Sequence, residues 1–188
     1  MEYTLELCGL QRRLPLVEIS KDTAFASFVI IGDTELIEHC APALAERIGP
    51  VDAIVTAEAK GIALAYEVSR CLGLKEFIVA RKSTKTYMQN VVSASVHSIT
   101  TQKEQQLFLD GADAAKIEGR RVCLIDDVIS TGESLYALEF LAKTAGAKIA
   151  ARAAVLAEGD AAKRDDILFL QKLPLFHRQS DGSFAPAE

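Results

Sequence analysis

The pattern of apolar and polar positions changes near residue 34. Before it, short apolar runs predict three extended segments interrupted at Pro15, namely 3–7, 16–19 and 24–31. A helix follows, because Asp33 or Thr34 can cap its start and Gly49 can end it. The N-terminal part is therefore predicted to be mainly extended and to lead into a helical segment.

Beyond residue 50, apolar strands alternate with amphipathic helices. The predicted strands are 51–57, 75–81, 120–126 and 148–158. Helices are predicted to begin at Lys60–Gly61 and at Ser134. Such alternation is typical of the α/β class, in which a parallel sheet is covered by helices on both faces.

Two segments depart from this alternation. Residues 82–106 are polar with a β-branched middle, which predicts a protruding hairpin or a flexible loop. Residues 167–176 form an apolar strand too late for the strand–helix series, and we expect it to pair with the N-terminal strands in a small cap. One domain over 1–188 is predicted, with a core at about 34–158, a hood at about 1–33 and 159–180, and the loop at about 82–106.

Composition narrows the class of protein. The chain has 188 residues, a net charge of −5 and a pI of about 5.3, which disfavours a nucleic-acid polymer as partner. Four cysteines show no metal-ligand spacing, and no metal site made by the protein is expected. No apolar run approaches the roughly 20 residues that span a bilayer. The N-terminus lacks a basic signal region. We therefore expect a cytoplasmic protein that does not bind a membrane.

The stretch VCLIDDVISTGES (122–134) carries the clearest chemistry. Its apolar run predicts a buried strand that ends at Asp126 and Asp127, before a small polar loop and a helix. The start of a helix offers unpaired N–H groups and a positive dipole end, which suits a phosphate. Adjacent carboxylates accept hydrogen bonds, which suits the vicinal hydroxyls of a ribose. Gly132 lets the loop backbone approach such a ligand closely.

LIDDVISTGES resembles the phosphoribosyl-pyrophosphate signature of type I phosphoribosyltransferases, and the resemblance covers about residues 50–158. It implies a parallel sheet of about five strands flanked by helices, with a small hood built from N- and C-terminal segments. By this match, Asp126 and Asp127 hold the ribose hydroxyls. The phosphate is bound, mostly through backbone donors, by Ser130, Thr131, Gly132, Glu133 and Ser134.

The resemblance extends to a second loop. Glu58, Ala59, Lys60 and Gly61 resemble the pyrophosphate loop, in detail its Glu-Ala-Arg-Gly form in adenine phosphoribosyltransferases, with lysine in place of arginine. Further cations for the pyrophosphate follow the next strand, at Arg81, Lys82 and Lys85. The family also implies Mg²⁺ held mainly through phosphoribosyl pyrophosphate, a purine base as second substrate, and a homodimer.

The catalytic and base-binding residues are less clearly marked. Asp127, with Asp126, is the expected catalytic carboxylate, and Glu104 is the glutamate nearest to the loop position used by adenine enzymes, although it is out of register there. Val17 and Phe28 lie in segments that weakly match base-lining segments of the family. We expect a purine salvage enzyme that converts adenine to AMP. The alternatives are a xanthine, hypoxanthine/guanine or orotate enzyme, or a regulator that binds phosphoribosyl pyrophosphate without turnover.

Overall fold

A computed structural model describes residues 1–97 and 104–187 of the chain. In chain order its elements are β1 (Glu2–Leu7), β2 (Leu10–Glu18), β3 (Thr23–Ala26), α1 (Thr34–Ile48), β4 (Ala53–Ala57), α2 (Ile62–Cys71), β5 (Ile78–Ala80), β6 (Val92–His97), β7 (Glu104–Leu109), α3 (Gly111–Ile117), β8 (Arg121–Ile129), α4 (Glu133–Thr144), β9 (Lys148–Glu158), a 3-10 helix (Gly159–Lys163), β10 (Leu168–Leu173), β11 (Leu175–Arg178) and β12 (Phe184–Pro186). No helix within the described ranges is long and apolar enough to cross a bilayer.

The core is a parallel sheet with strand order β10-β9-β8-β4-β5. Its central strand β8 is apolar on both faces, and Val122, Cys123, Leu124 and Ile125 have no exposed surface. Burial on both faces is what the continuous apolar run in the sequence predicts. The predicted fold class is confirmed. Because all five strands are parallel, their carboxyl ends share one edge of the sheet.

Helices cover both faces of this sheet. On one face, α1 and α2 pack with the sheet and with the hood in one apolar cluster. On the other face, α3, α4 and the β6–β7 hairpin form a second cluster. Ala94, Leu107 and Leu109 are buried there, so the lower part of the hairpin belongs to the core. The hairpin predicted within 82–106 therefore extends to residue 109 and is packed against α4 at its base.

The hood is an antiparallel sheet with strand order β1-β2-β3-β11-β12. Its inner side chains, such as Leu5, Leu14 and Phe176, share the apolar cluster of α1. Arg12 on β2 also reaches the start of α1, where its guanidinium binds both oxygens of Asp33 at 2.6 and 3.0 Å. Asp33 in turn accepts a hydrogen bond from the Leu36 N–H at 3.1 Å and caps α1, as predicted. The hood is thus joined to the core by apolar packing and by the ion pairs of Arg12 with Asp33 and Glu35.

Three predicted elements differ from the structure. Pro15 lies inside β2 and does not interrupt it, because its carbonyl still accepts from the Ser27 N–H at 2.9 Å, while the pairing with β1 ends beside it. Residues 27–31 are not a strand, and β3 ends at Ala26.

The third difference moves the boundary of the hood. We expected 159–180 to belong entirely to the hood, but β10 is the edge strand of the core sheet, and β11 and β12 are the parts that pair within the hood. The connection from β9 to β10 contains a single short 3-10 helix, whereas parallel crossovers usually need a dozen or more residues. The strand–helix pattern therefore gave no sign of this strand.

Asp33→Ala should lower the free energy of unfolding by about 1–2 kcal/mol, because it removes both the helix cap and the Arg12 pair. Arg12 lowers the pKa of Asp33, so this contribution is present above the unfolded value of 3.8 and is lost as pH falls. Urea unfolding at pH 7 and pH 3 measures both effects. Glu38→Ala, on the exposed face of the same helix, is the control. Equal stability of the two variants at pH 7 would contradict the assigned role of Asp33.

Candidate functional site

A cleft of about 540 Å³ lies between the hood and the carboxyl edge of the core sheet. The sheet side contributes mostly charged residues, among them Lys60, Asp126 and Asp127. The hood side contributes the rings of Phe25 and Phe28. The cleft therefore has one polar part and one apolar part, the arrangement typical of a small-molecule site.

The two acids lie within β8 and do not follow it, contrary to the expectation that the strand ends there. β8 remains paired with β9 as far as Ile129, but its pairing with β4 ends at Ile125. Asp126 and Asp127 thus occupy the part of the strand that has lost one neighbour and is open to the cleft. The Asp127 N–H donates to Asp126 Oδ1 at 2.8 Å, and the Asp127 side chain is almost fully buried.

Burial raises the pKa of Asp126 from 3.8 to about 7, and the charge of Asp127 is the second cause. The Asp127 N–H and Lys60 act in the opposite direction. Without a ligand, the site thus holds a carboxylate whose ionised form is poorly solvated. Hydroxyl donors of a bound sugar would supply the hydrogen bonds that this ionised form lacks.

The loop after β8 turns directly into α4. Gly132 has a φ of 81°, a left-handed conformation that favours glycine, and α4 begins at Glu133, whose N–H donates to Thr131 Oγ1 at 3.4 Å. Ser130 and Ser134 line the cleft, and Thr131, Gly132 and Glu133 form the turn between them. The positive end of the dipole of this 12-residue helix suits an anion.

An arginine that the sequence interpretation did not include lies beside this loop. A Cβ atom added to Gly132 would come within 2.8 Å of Arg164 Nη1. The same guanidinium binds Asp166 through Nε and Nη2, both at 2.8 Å. Glycine at 132 therefore provides both the turn and the space for this cation.

The second predicted loop lies next to the first because β4 and β8 are neighbours. Lys60 Nζ lies 3.1 Å from Asp127 Oδ2, so the cation of one loop pairs with the acid of the other. The peptide bond between Glu58 and Ala59 is cis. A Cβ added to Gly61 would lie 2.4 Å from Thr56 Oγ1 and 3.5 Å from Asp126 Oδ1. Glycine at 61 thus lets the start of α2 approach β8 closely.

The predicted cations after β5 are organised by Glu58. This carboxylate accepts from the Lys82 N–H at 2.7 Å and from Arg81 Nη1 at 3.2 Å, and the Lys82 N–H is the main cause of its lowered pKa. The Lys82 side chain lines the cleft. Lys85 is exposed, and its ammonium donates to Ser83 at 2.8 Å. Lys60 and Lys82 therefore line the cleft, Arg81 is linked to it through Glu58, and Lys85 lies outside its lining.

Of the remaining predicted residues, some line the cleft and others do not. Phe28 lines the cleft, whereas Val17 does not; it lies opposite Phe25 on the neighbouring strand and is 41% exposed. The side chain of Glu104 lies outside the described residues. Glu158, the last residue of β9, lines the cleft and was missed. Its position was readable in principle, since it ends a predicted parallel strand at the same edge as Asp126.

The described residues contain no cluster of three His, Cys, Asp or Glu placed to hold a metal ion. The cleft still offers carboxylate oxygens at Asp126, Asp127 and Glu58, the kind of ligand that Mg²⁺ accepts together with waters and substrate phosphates. A hard cation that arrives with a phosphorylated ligand is therefore compatible with these residues.

Comparisons with known proteins agree with this geometry. The family described as phosphoribosyl transferase domain matches residues 33–179. Xanthine phosphoribosyltransferase of Brevibacillus brevis is 35% identical over 103 residues, which are 55% of this chain and 52% of the relative. Hypoxanthine/guanine phosphoribosyltransferase of Methanococcus voltae is 34% identical over 128 residues, 68% of this chain and 64% of the relative. The matched part thus spans about half to two thirds of these relatives.

Solved structures of adenine phosphoribosyltransferases share the fold. The enzyme of Thermoanaerobacter pseudethanolicus superposes with a TM-score of 0.70 at 20% identity, over 85% of this chain and 95% of that one. The Giardia lamblia enzyme complexed with 9-deazaadenine gives a TM-score of 0.68 at 20% identity, over 85% of this chain and 93% of that one. At this identity, the similarity establishes the fold and leaves the base open.

Gly61→Ala should destabilise the protein by about 1–3 kcal/mol, because the new methyl group collides with Thr56 Oγ1. Thr56→Ala removes that atom, so the double variant should be more stable than the sum of the two single effects predicts, by about 1 kcal/mol. Urea unfolding of the four proteins measures this coupling. If the unfolding free energies of the two single variants simply add in the double variant, the methyl group at position 61 does not collide with Thr56 Oγ1.

Asp126→Asn should stabilise the ligand-free protein at pH 8 more than at pH 5, by about 1–2 kcal/mol. The folded pKa of Asp126 lies above its unfolded value of 3.8, so folding stability is unaffected by this carboxyl group below pH 3.8 and falls as pH rises towards about 7. Asparagine does not ionise, so the variant does not lose this stability. Unfolding free energies at both pH values test it, with the exposed Asp22→Asn as control. A variant whose effect is independent of pH would refute the proposed desolvation.

Proposed function

The chain belongs to the phosphoribosyltransferase family, and we propose that its cleft transfers the 5-phosphoribosyl group from phosphoribosyl pyrophosphate to a purine base and releases pyrophosphate. One observation supports the proposal: a short loop joins the acid pair Asp126–Asp127 to the start of α4, and Lys60 of the neighbouring loop pairs with Asp127. A ribose with a phosphate on one side and a pyrophosphate on the other matches these three features.

Each part of the substrate has its own partners in this proposal. The ribose hydroxyls donate to Asp126 and Asp127, and the 5-phosphate accepts from the N–H groups between Ser130 and Ser134. The pyrophosphate takes Lys60 and the cations near Glu58. Mg²⁺ enters with the substrate, and when bound it neutralises part of the pyrophosphate charge.

The Lys60–Asp127 contact couples these parts. In the ligand-free site the two groups form an ion pair at 3.1 Å, although Asp127 Oδ2 has no hydrogen-bond partner among the described residues. A pyrophosphate that attracts Lys60 would leave Asp127 buried without its partner, which is costly unless a ribose hydroxyl replaces it. We propose that this exchange favours the complete substrate over either fragment.

The chemistry needs charge stabilisation more than covalent participation. Glycosyl transfer passes through an oxocarbenium-like state, in which positive charge develops on the ribose while negative charge develops on the departing group. Asp127 is buried next to the predicted ribose position and stabilises the former. Lys60, Arg81 and the start of α2 stabilise the latter. The cleft holds the base and the sugar together, which removes much of the entropic barrier to their reaction.

Adenine is our first candidate for the base, and AMP is the corresponding product. The support is the Glu58–Gly61 segment, which resembles the adenine form of the loop. A second group of candidates, xanthine, hypoxanthine and guanine, is favoured by the names of the relatives described above. Pyrophosphate release with phosphoribosyl pyrophosphate, Mg²⁺ and each base in turn separates them. Release with none of the bases would leave a regulator without turnover as the remaining alternative.

Asp127→Asn should keep the fold but reduce turnover on the order of 100-fold, because it removes the carboxylate charge from the reacting sugar. The pyrophosphate-release assay with the best base measures the rate, and thermal unfolding verifies the fold. Asp165→Asn, an exposed change of the same kind, should leave turnover unaffected. Full activity of Asp127→Asn would overturn the role given to it.

A further inference from the structure

Glu158 stands apart from the charged residues assigned so far. It is the final residue of β9, and its backbone pairs with Leu173 at the end of β10. Its side chain lines the cleft. Of the ionisable side chains that line the cleft within the described ranges, it is the one that the ribose, phosphate and pyrophosphate do not use.

The residues that line the cleft near Glu158 are suited to contact a purine base. The apolar part of the cleft is lined by Phe25, Phe28 and Leu173, and the half-buried ring of Phe25, the most exposed of the three, offers a flat surface to the face of a purine. A purine also carries donors and acceptors around its rim, and these need polar partners in the plane of the ring. Glu158 adjoins the apolar part through Leu173, so it is placed to meet that rim.

The carboxylate of Glu158 is available for such a contact. Burial raises its pKa, and the charge of Lys60 opposes this rise. Among the described residues, none forms a hydrogen bond with its carboxylate oxygens. A partly desolvated carboxylate gains from an N–H donor that arrives with a ligand. Once ionised, it only accepts hydrogen bonds, and it is repelled by a carbonyl oxygen.

We propose that Glu158 accepts a hydrogen bond from the exocyclic amino group of the base, so that the cleft selects amino purines over their oxo counterparts. This assignment rests on the proposed function and narrows its substrate class. Adenine and hypoxanthine differ by amino against oxo at position 6, and guanine and xanthine differ in the same way at position 2. The proposed contact is with the exocyclic group itself and not with the ring N–H that the oxo purines carry beside it, so this contact favours adenine or guanine over hypoxanthine and xanthine.

The test measures binding of AMP, IMP, GMP and XMP by titration calorimetry, so it does not depend on turnover. In the natural protein at least one amino nucleotide should bind on the order of tenfold more tightly than its oxo counterpart, the effect of one hydrogen bond to a charged group. Glu158→Gln should bring that ratio close to one, because the amide both donates and accepts. A changed AMP–IMP ratio places position 6 of the base at Glu158, and a changed GMP–XMP ratio places position 2 there.

Asp160→Asn is the matched control, because it removes one negative charge two residues away, at an exposed site outside the cleft. It should leave the ratio unchanged, and melting temperatures show whether both variants fold. The proposal is overturned if Glu158→Gln keeps the ratio of the natural protein, if the oxo nucleotides bind more tightly in both pairs, or if none of the four binds.

Pyrophosphate release measured in parallel separates this proposal from the proposed function. Selective binding of amino nucleotides, lost in Glu158→Gln, without pyrophosphate release from any base would refute the enzymatic activity and support the role of Glu158. Release that is insensitive to Glu158→Gln in its choice of base would support the activity and refute the role of Glu158.

Discussion

The contact between Lys60 and Asp127 is the interaction on which the site depends. Asp127 is almost fully buried, and a buried carboxylate without a partner is strongly destabilising. Its cation comes from a different loop, so the contact requires β4 and β8 to be neighbours and Gly61 to lie close to β8. The parallel order of the sheet, the glycine and the two loops are thus conditions for one ion pair.

Much of the core could be predicted because its signals are local. The apolar run before Asp126 is a buried central strand, and the loop with Gly132 starts a helix as its sequence indicates. The edge strand β10 could not be predicted in the same way, because its short connection resembles no ordinary crossover. Glu158 was missed for another reason: the end of its predicted strand indicates the edge of the sheet, but no motif includes the residue, so its chemistry was not marked.

The difference between local signals and dispersed ones also explains why the sequence indicates the family but not the base. The residues proposed to bind sugar and phosphate lie in two continuous segments, 58–61 and 126–134, where a motif is readable. The apolar wall for a base is assembled from β3, the residue Phe28 and the end of β10, which are far apart in the chain. Such a wall leaves no contiguous pattern, and the similar proteins carry names with different bases, so neither the motif nor the fold decides the base.

The hood sheet has a consequence for how the molecule can vary. Its strand β3 pairs with β2 on one side and with β11 on the other, so segments about 150 residues apart complete a single surface. The residues proposed to bind the sugar and the phosphate lie outside these pairings. Substitutions in the hood can therefore reshape the surface proposed to face the base while those residues stay unchanged.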